Sequence, residues 1–255
     1  MKKTVLIFGL PGAGKTTLAK KLAARIPNAV HIDAADVRRA SRDFDFSDAG
    51  RIRSAIRMRE TAAASSADVV ILDSVAALQE QRDLIRADYT IWMNTVYQSR
   101  FKETNDAFED PETCDIQITE FDDAAIGAMV KRLRCFDYRA PTAQMMGRFQ
   151  LPGFHGGHLA LFKESLRRVG QVAVMVRDTF GTGLKDPFTY EEIKERIEDT
   201  LLADEYQGSF IVQRVPNITT IHYGRDVGYS IEKIGLAPDV ESISATQIRA
   251  TLKNL

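Results

Sequence analysis

Apolar and polar positions divide the chain into two successive alternating patterns. In the first, short β-rich apolar runs occupy 4–9, 29–33, 68–74, 88–94 and 115–119. Helix-period stretches lie between them at 15–25, 50–65 and 78–86, and another follows the last run at 123–133. Repeated strand–helix–strand order predicts a parallel sheet with helices on both faces, which binds ligands beyond the carboxyl ends of its strands. The polar stretch RCFDYRAPTA at 134–143, with Pro141 inside it, predicts a domain boundary. The pattern then restarts, with runs at 144–150, 171–177 and 210–215 separated by helical stretches at 157–169 and 188–202. A capped helix at 246–253 closes it. The expectation is an α/β chain of two domains, 1–136 and 143–255. The second has about 115 residues, enough for a small Rossmann-like unit.

Composition narrows the function classes. Of 255 residues 44% are hydrophobic and 27% charged, as in an ordinary globular protein, and the formal net charge is -1. That balance points to neither nucleic acid nor an anionic membrane as partner. The apolar run after Lys2 and Lys3 is too short for a signal peptide, and no stretch approaches the roughly 18 apolar residues of a membrane span. A soluble, cytoplasmic protein is expected, with a homo-oligomer left open. Cys114 and Cys135 form no CxxC pair and lie far from the histidines, which argues against zinc; two buried thiols in a reducing cytoplasm are the more economical expectation, with a lone disulfide the alternative.

Residues 9–16 read GLPGAGKT, a complete GxxxxGK(S/T) pattern that follows an apolar strand and opens a helix. Gly9, Gly12 and Gly14 allow backbone N–H groups to turn toward phosphate. Lys15 would reach the outer phosphates of ATP, Thr16 would ligate Mg²⁺, and Thr17 extends the nucleotide-binding helix start. A flexible glycine turn accounts for one glycine, not for three followed by Lys-Thr.

At the end of the second run stands HIDAADVRR, followed by DFDFSDAGRIRSAIRM. This region resembles adenylylsulfate kinase, with Asp33, Val37, Arg38, Phe46, Ser47 and Arg51 matching that family's pattern. The resemblance spans roughly residues 1–134 and implies a P-loop kinase. It departs where the family carries its likely base, here Ala35, and where the family has an asparagine, here Ser54. A kinase needs a carboxylate near the acceptor hydroxyl, and Asp33 and Asp36 are the pair at that strand end. Asp36 serves equally well as a helix cap. Asp73 ends the next strand and is a candidate Mg²⁺ ligand. Arg38 and Arg51 are candidate anchors for an anionic acceptor, and Arg57 is as readily a solvated helix arginine.

The second pattern carries GRFQLPGFHGGH at 147–158, again from strand end to helix start. The segment resembles nucleotidyltransferases of the HxGH class, and its GRFQ setting is similar to nicotinamide-mononucleotide adenylyltransferases, with about two extra residues after the glutamine. His155 and His158 are spaced so that both can face one triphosphate, with Gly156 and Gly157 admitting close backbone approach. Gly147, Arg148 and Phe149 belong to the same expected nucleotide site. Downstream, Ser244, Thr246 and Arg249 match the family's ISSTxIR segment, which the resemblance implies grips the triphosphate from the other side. A Ser/Thr pair before a helix is otherwise a plain N-cap. The DPFTYEEIKERI stretch at 186–197 resembles the family's NPFTxxER, but Ile193 stands where its arginine would be, and Arg196 is the substitute one turn later.

Together these motifs imply a bifunctional transferase: a small-molecule kinase joined to a nucleotidyltransferase, with ATP as substrate and CTP the alternative in the second domain. Its partners are nucleotides and a small phosphorylated or hydroxyl acceptor; dinucleotide synthesis of the NAD type leads. Three rivals stay open. They are sulfate activation, cytidylyl transfer to an alcohol phosphate, and a nucleotide sensor with an inactive kinase half, which Ala35 keeps in view.

Overall fold

The computed structural model describes residues 2–150, 154, 156–180, 183, 186–222, 224 and 228–236. The chain splits into two compact units, one comprising 1–133 with 137–139, the other 134–136 with 140–255.

The first unit is built on a five-stranded parallel sheet. Its strands are β1 (Lys3–Phe8), β2 (Ala29–Asp33), β3 (Val69–Ser74), β4 (Tyr89–Met93) and β5 (Ile116–Ile118), in spatial order β2-β3-β1-β4-β5. The central strands are buried on both faces, which is why they read as continuous apolar runs rather than alternating ones. Val5, Leu6, Ile7 and Phe8 have no exposure at all. Each such side chain contributes about 1.5–3 kcal/mol over leaving it in water. On one face Leu6, Phe8, Val70 and Leu72 pack against Ala55, Met58 and Ala62 of helix α3 (Asp48–Ala64) and Ile85 of α4 (Gln79–Ile85). Helices α1 (Lys15–Ala23) and α6 (Ile126–Arg132) pack against each other and bury Leu18, Leu22, Ile126 and Val130.

Two helices were absent from the hydrophobic pattern: α2 (Ala34–Ser41) and the single turn α5 (Lys102–Asp106). Neither buries a residue, so neither writes a periodic stripe into the sequence. What starts α2 is a cap: the Asp33 side chain accepts the Ala35 N–H at 2.7 Å. The cap is therefore Asp33, and Asp36 lies inside the first turn. Cys114 is half-buried rather than buried.

The second unit holds the parallel strands β6 (Ala143–Gly147), β7 (Val172–Arg177) and β8 (Phe210–Val215), in that spatial order. Helix α7 (Gly156–Val169) and helix α8 (Tyr190–Ala203) supply Phe162, Ile193, Ile197 and Leu201 to a core with Met145, Val172, Val174, Val176 and Val212. Ile193 is thus a core residue, 2% exposed. A capping box starts α8: Thr189 Oγ1 accepts from Glu192 N, and the Glu192 carboxylate accepts from Thr189 N at 2.8 Å. No helix among the described residues is long and apolar enough to cross a membrane.

Candidate functional site

The glycine-rich loop between β1 and α1 has the geometry its sequence demands. Gly9 sits at φ 143°, and a Cβ there would stand 2.4 Å from the Met93 carbonyl oxygen. Only glycine fits beneath β4 at that point. Gly14 caps α1 in the left-handed region, with no side chain covering the helix N-terminus and no acidic residue in its first turn. Helices α2, α3 and α8, by contrast, all carry a capping side chain and an acid there. An uncapped N-terminus followed by a lysine inverts the usual charge preference, and it is the arrangement that receives an anion. Thr95 Oγ1 donates to the Ala13 carbonyl at 2.8 Å and ties the loop down.

Behind this loop the strand ends bring together residues distant in sequence. Lys15, Thr16, Asp33 and Asp73 line one cavity of about 790 Å³. Thr16 Oγ1 donates to Asp73 Oδ2 at 2.5 Å, and Lys15 Nζ donates to the Leu10 carbonyl at 3.0 Å. Burial lowers the Lys15 ammonium below the usual lysine value, opposed by the charges of Asp73 and Asp33. Burial likewise pushes the Asp73 carboxyl up, against the Thr16 hydrogen bond and the Lys15 charge. His31 Nε2, buried and without a hydrogen-bond partner, lies 3.5 Å from Asp73 Oδ2.

The cavity wall opposite the loop is basic and aromatic. Arg38, Arg39 and Arg51 line it, as do Phe44, Phe46 and Phe101, which are 62%, 59% and 47% exposed. Arg38 donates to the Asp45 carbonyl at 2.8 Å and lies over the Phe46 ring, and Arg51 Nε donates to the Phe46 carbonyl at 3.0 Å. These bonds use one N–H face of each guanidinium and hold the side chains at the cavity. Asp36 does not line this cavity. It is exposed and paired with Arg39, on the rim of a second hollow shared with His31, Arg57 and Glu60. Arg57 is engaged by Asp43 at 2.6 Å, and Thr17 is exposed on α1.

Sequence reasoning missed His31, Arg39, Phe44 and Phe101. His31 has no motif around it, and its meeting with Asp73 depends on strand register, in which Asp33 lies beside Asp73. The phenylalanines left a signal: apolar residues set among charges, off any helical period.

In the second unit, β6 ends at Gly147. A Cβ on Gly147 would press within 3.1 Å of the Phe149 ring, and Phe149 itself takes φ 47°. His158, in the first turn of α7, meets the Phe149 ring edge-on at 4.9 Å and stacks on Phe154 at 5.4 Å. Gln150 and Phe188 exchange a reciprocal pair of bonds, both 2.9 Å, which ties the post-β6 loop to the segment before α8. Arg148 is exposed and reaches Asp186 at 3.3 Å, and Arg196 lies 3.9 Å over the Phe188 ring. Gly157 follows the helix start. His155, Ser244, Thr246 and Arg249 lie outside the described residues, as does the helix expected at 246–253.

Residues 5–105 match a family model described as an AAA domain. Among solved structures, the chain is similar to the APS kinase CysC of Mycobacterium tuberculosis in complex with AMPPNP and APS. That match has 20% identity and TM-score 0.45, over 52% of this chain and 97% of the other. A shikimate kinase from Acinetobacter baumannii in complex with shikimate matches at 16% identity and TM-score 0.36, over 52% and 92%. A chain of the Pnkp1/Rnl/Hen1 RNA repair complex matches at 15% identity and TM-score 0.31, over 87% and 81%. No curated protein matches the chain. The glycine loop, the parallel sheet and the family match together define the first unit as a P-loop α/β domain.

Proposed function

We propose that the chain is a bifunctional phosphate-transfer enzyme, with a small-molecule kinase in the first unit and a nucleotidyltransferase in the second. The observation that carries the kinase reading is the convergence of Lys15, the Thr16–Asp73 pair and Asp33 on one cavity at the mouth of an uncapped helix. The donor set suits Mg²⁺, a hard cation that takes oxygen ligands: Thr16 and Asp73 offer a hydroxyl and a carboxylate oxygen 2.5 Å apart. Bound there, Mg²⁺ would neutralise the charge of the ATP phosphates. Lys15 and the α1 N-terminus hold the outer phosphates, and Asp33 accepts the acceptor hydroxyl proton. As the acceptor oxygen bonds to the γ-phosphorus, the bridge to the β-phosphate breaks and ADP leaves with that electron pair.

The acceptor follows from the opposite wall. Three exposed phenylalanines beside three arginines favour a flat ring carrying an anionic group. The second activity rests on the resemblance around HGGH, supported by His158 at the start of α7 and by Gly147 at the end of β6. In that reading His158 and the helix N-terminus stabilise charge on a nucleotide's phosphates while an acceptor phosphate attacks and pyrophosphate departs.

One substrate screen tests both halves. ATP or CTP with Mg²⁺ is offered with adenylylsulfate, nucleosides, nicotinamide mononucleotide, sulfate and alcohol phosphates, while ADP and pyrophosphate are measured separately. Acceptor-dependent ADP release, strongest for anionic aromatic acceptors and abolished in Lys15→Ala, supports the kinase. ADP release that ignores every acceptor sinks it. Pyrophosphate release with ATP and nicotinamide mononucleotide supports the second activity, and release with sulfate alone overturns it in favour of sulfate activation.

A further inference from the structure

Arg177, the last residue of β7, is at odds with its surroundings. Its Nε is buried and has no hydrogen-bond partner, and no salt bridge reaches its guanidinium among the described residues. Other arginines of the same unit are provided for. Arg148 pairs with Asp186, Arg167 and Arg168 with Glu164, and Arg196 covers Phe188. The acid nearest in sequence, Asp178, is already taken. It pairs with Arg214 and accepts the Phe180 N–H at 2.7 Å, while the Arg214 guanidinium lies over the Phe180 and Tyr190 rings. A half-buried cation without a counter-charge costs stability, and folded proteins keep such groups where a ligand completes them.

The position narrows the ligand. Strand β7 is the middle strand of its sheet, and Arg177 ends it beside Val215. It lies on the face opposite Val172, Val174 and Val176, which fill the core under α7 and α8. Ligands of parallel sheets bind beyond this carboxyl edge. A planar guanidinium with free N–H groups matches two oxygens of a phosphate. We propose that Arg177 binds a phosphate group at the carboxyl edge of the second sheet, either the polyphosphate of the nucleotide or the phosphate of the acceptor. This rests on reading the second unit as a nucleotidyltransferase.

The test uses the full chain carrying Lys15→Ala, which silences the P-loop, with Arg177 intact or changed to Gln or Lys. Calorimetric titrations employ pyrophosphate, ATP and nicotinamide mononucleotide, and the ligand-free chains are melted in parallel. Arg177→Gln weakens binding about ten- to hundredfold, and Arg177→Lys less. Loss with pyrophosphate and ATP assigns the nucleotide, and loss with the mononucleotide alone assigns the acceptor. Because the cation has no partner among the described residues, the ligand-free Tm of Arg177→Gln holds or rises. A fall in that Tm makes Arg177 a structural residue and overturns the proposal, as does binding within about twofold in both variants. Failure of the Arg177 chain to bind any probe removes the second-unit reading and this proposal together. Intact binding that the variants share removes only this proposal.

Discussion

In the P-loop cavity the charged groups of the glycine loop and the strand ends have companions, whereas among the described residues Arg177, at the edge of the second sheet, has none. Lys15 is held by a loop carbonyl and faces Asp73, Asp73 receives Thr16, Asp33 caps a helix, and Arg38 and Arg51 are steadied by backbone carbonyls. The first site is preorganised by short-range geometry: one loop and two strand ends hold most of it. In the second unit His158 lies against two aromatic rings, and Arg177 has no counter-charge among the described residues. The two regions hold their charges in different ways. One sets backbone dipoles beside a buried lysine and carboxylate that face each other. The other holds back a charge that costs stability until the ligand arrives.

Lys15→Ala should slow phosphoryl transfer about 10²- to 10³-fold while leaving pyrophosphate release from the second unit unchanged, read by the two product assays side by side. Loss of both activities would mean that the sites are not separate. His158→Ala should cost about 10²-fold in pyrophosphate release and nothing in ADP release. Of the two carboxylates in HIDAADVRR, Asp33 lines the cavity, and Asp33→Asn should slow phosphoryl transfer by about 10²-fold, whereas Asp36→Asn, outside the cavity, exposed and paired with Arg39, should change it by less than about threefold. The reverse order would return the base to Asp36.

The subtlest effect is on pH dependence. Asp73 is raised above 3.8 by burial, so between that value and its folded-state pKa the folded chain binds more protons than the unfolded one. This residue's contribution therefore makes the ligand-free first unit less stable as pH climbs upward from 3.8. Asp73→Asn should flatten that part of a stability-versus-pH curve. An unchanged slope would mean that Thr16 and Lys15 fully offset the burial.

Much of the first site was legible because its chemistry is local. The glycines, Lys15 and Thr16 are consecutive, and the strand before them and the helix after them write their own apolar patterns. The carboxylates were legible only as candidates. Asp33 and Asp36 look alike in HIDAADVRR, and which one lines the cavity depends on α2 starting at Ala34, a helix that buries nothing and so leaves no periodic trace. The same holds for α5, which carries Lys102 and follows Phe101 at the cavity.

The alternating α/β order, the phosphate loop and the strand-to-helix setting of HGGH can be read from the amino-acid order alone, because each depends on residues within one or two turns of one another. Folding in three dimensions was needed to show which carboxylate faces the phosphate loop, that His31 meets Asp73, that three phenylalanines gather among arginines, and that Asp178 pairs with Arg214 while Arg177 has no partner among the described residues. Those outcomes depend on strand order and register. These bring together side chains tens of residues apart, and no local pattern of polarity encodes such a meeting.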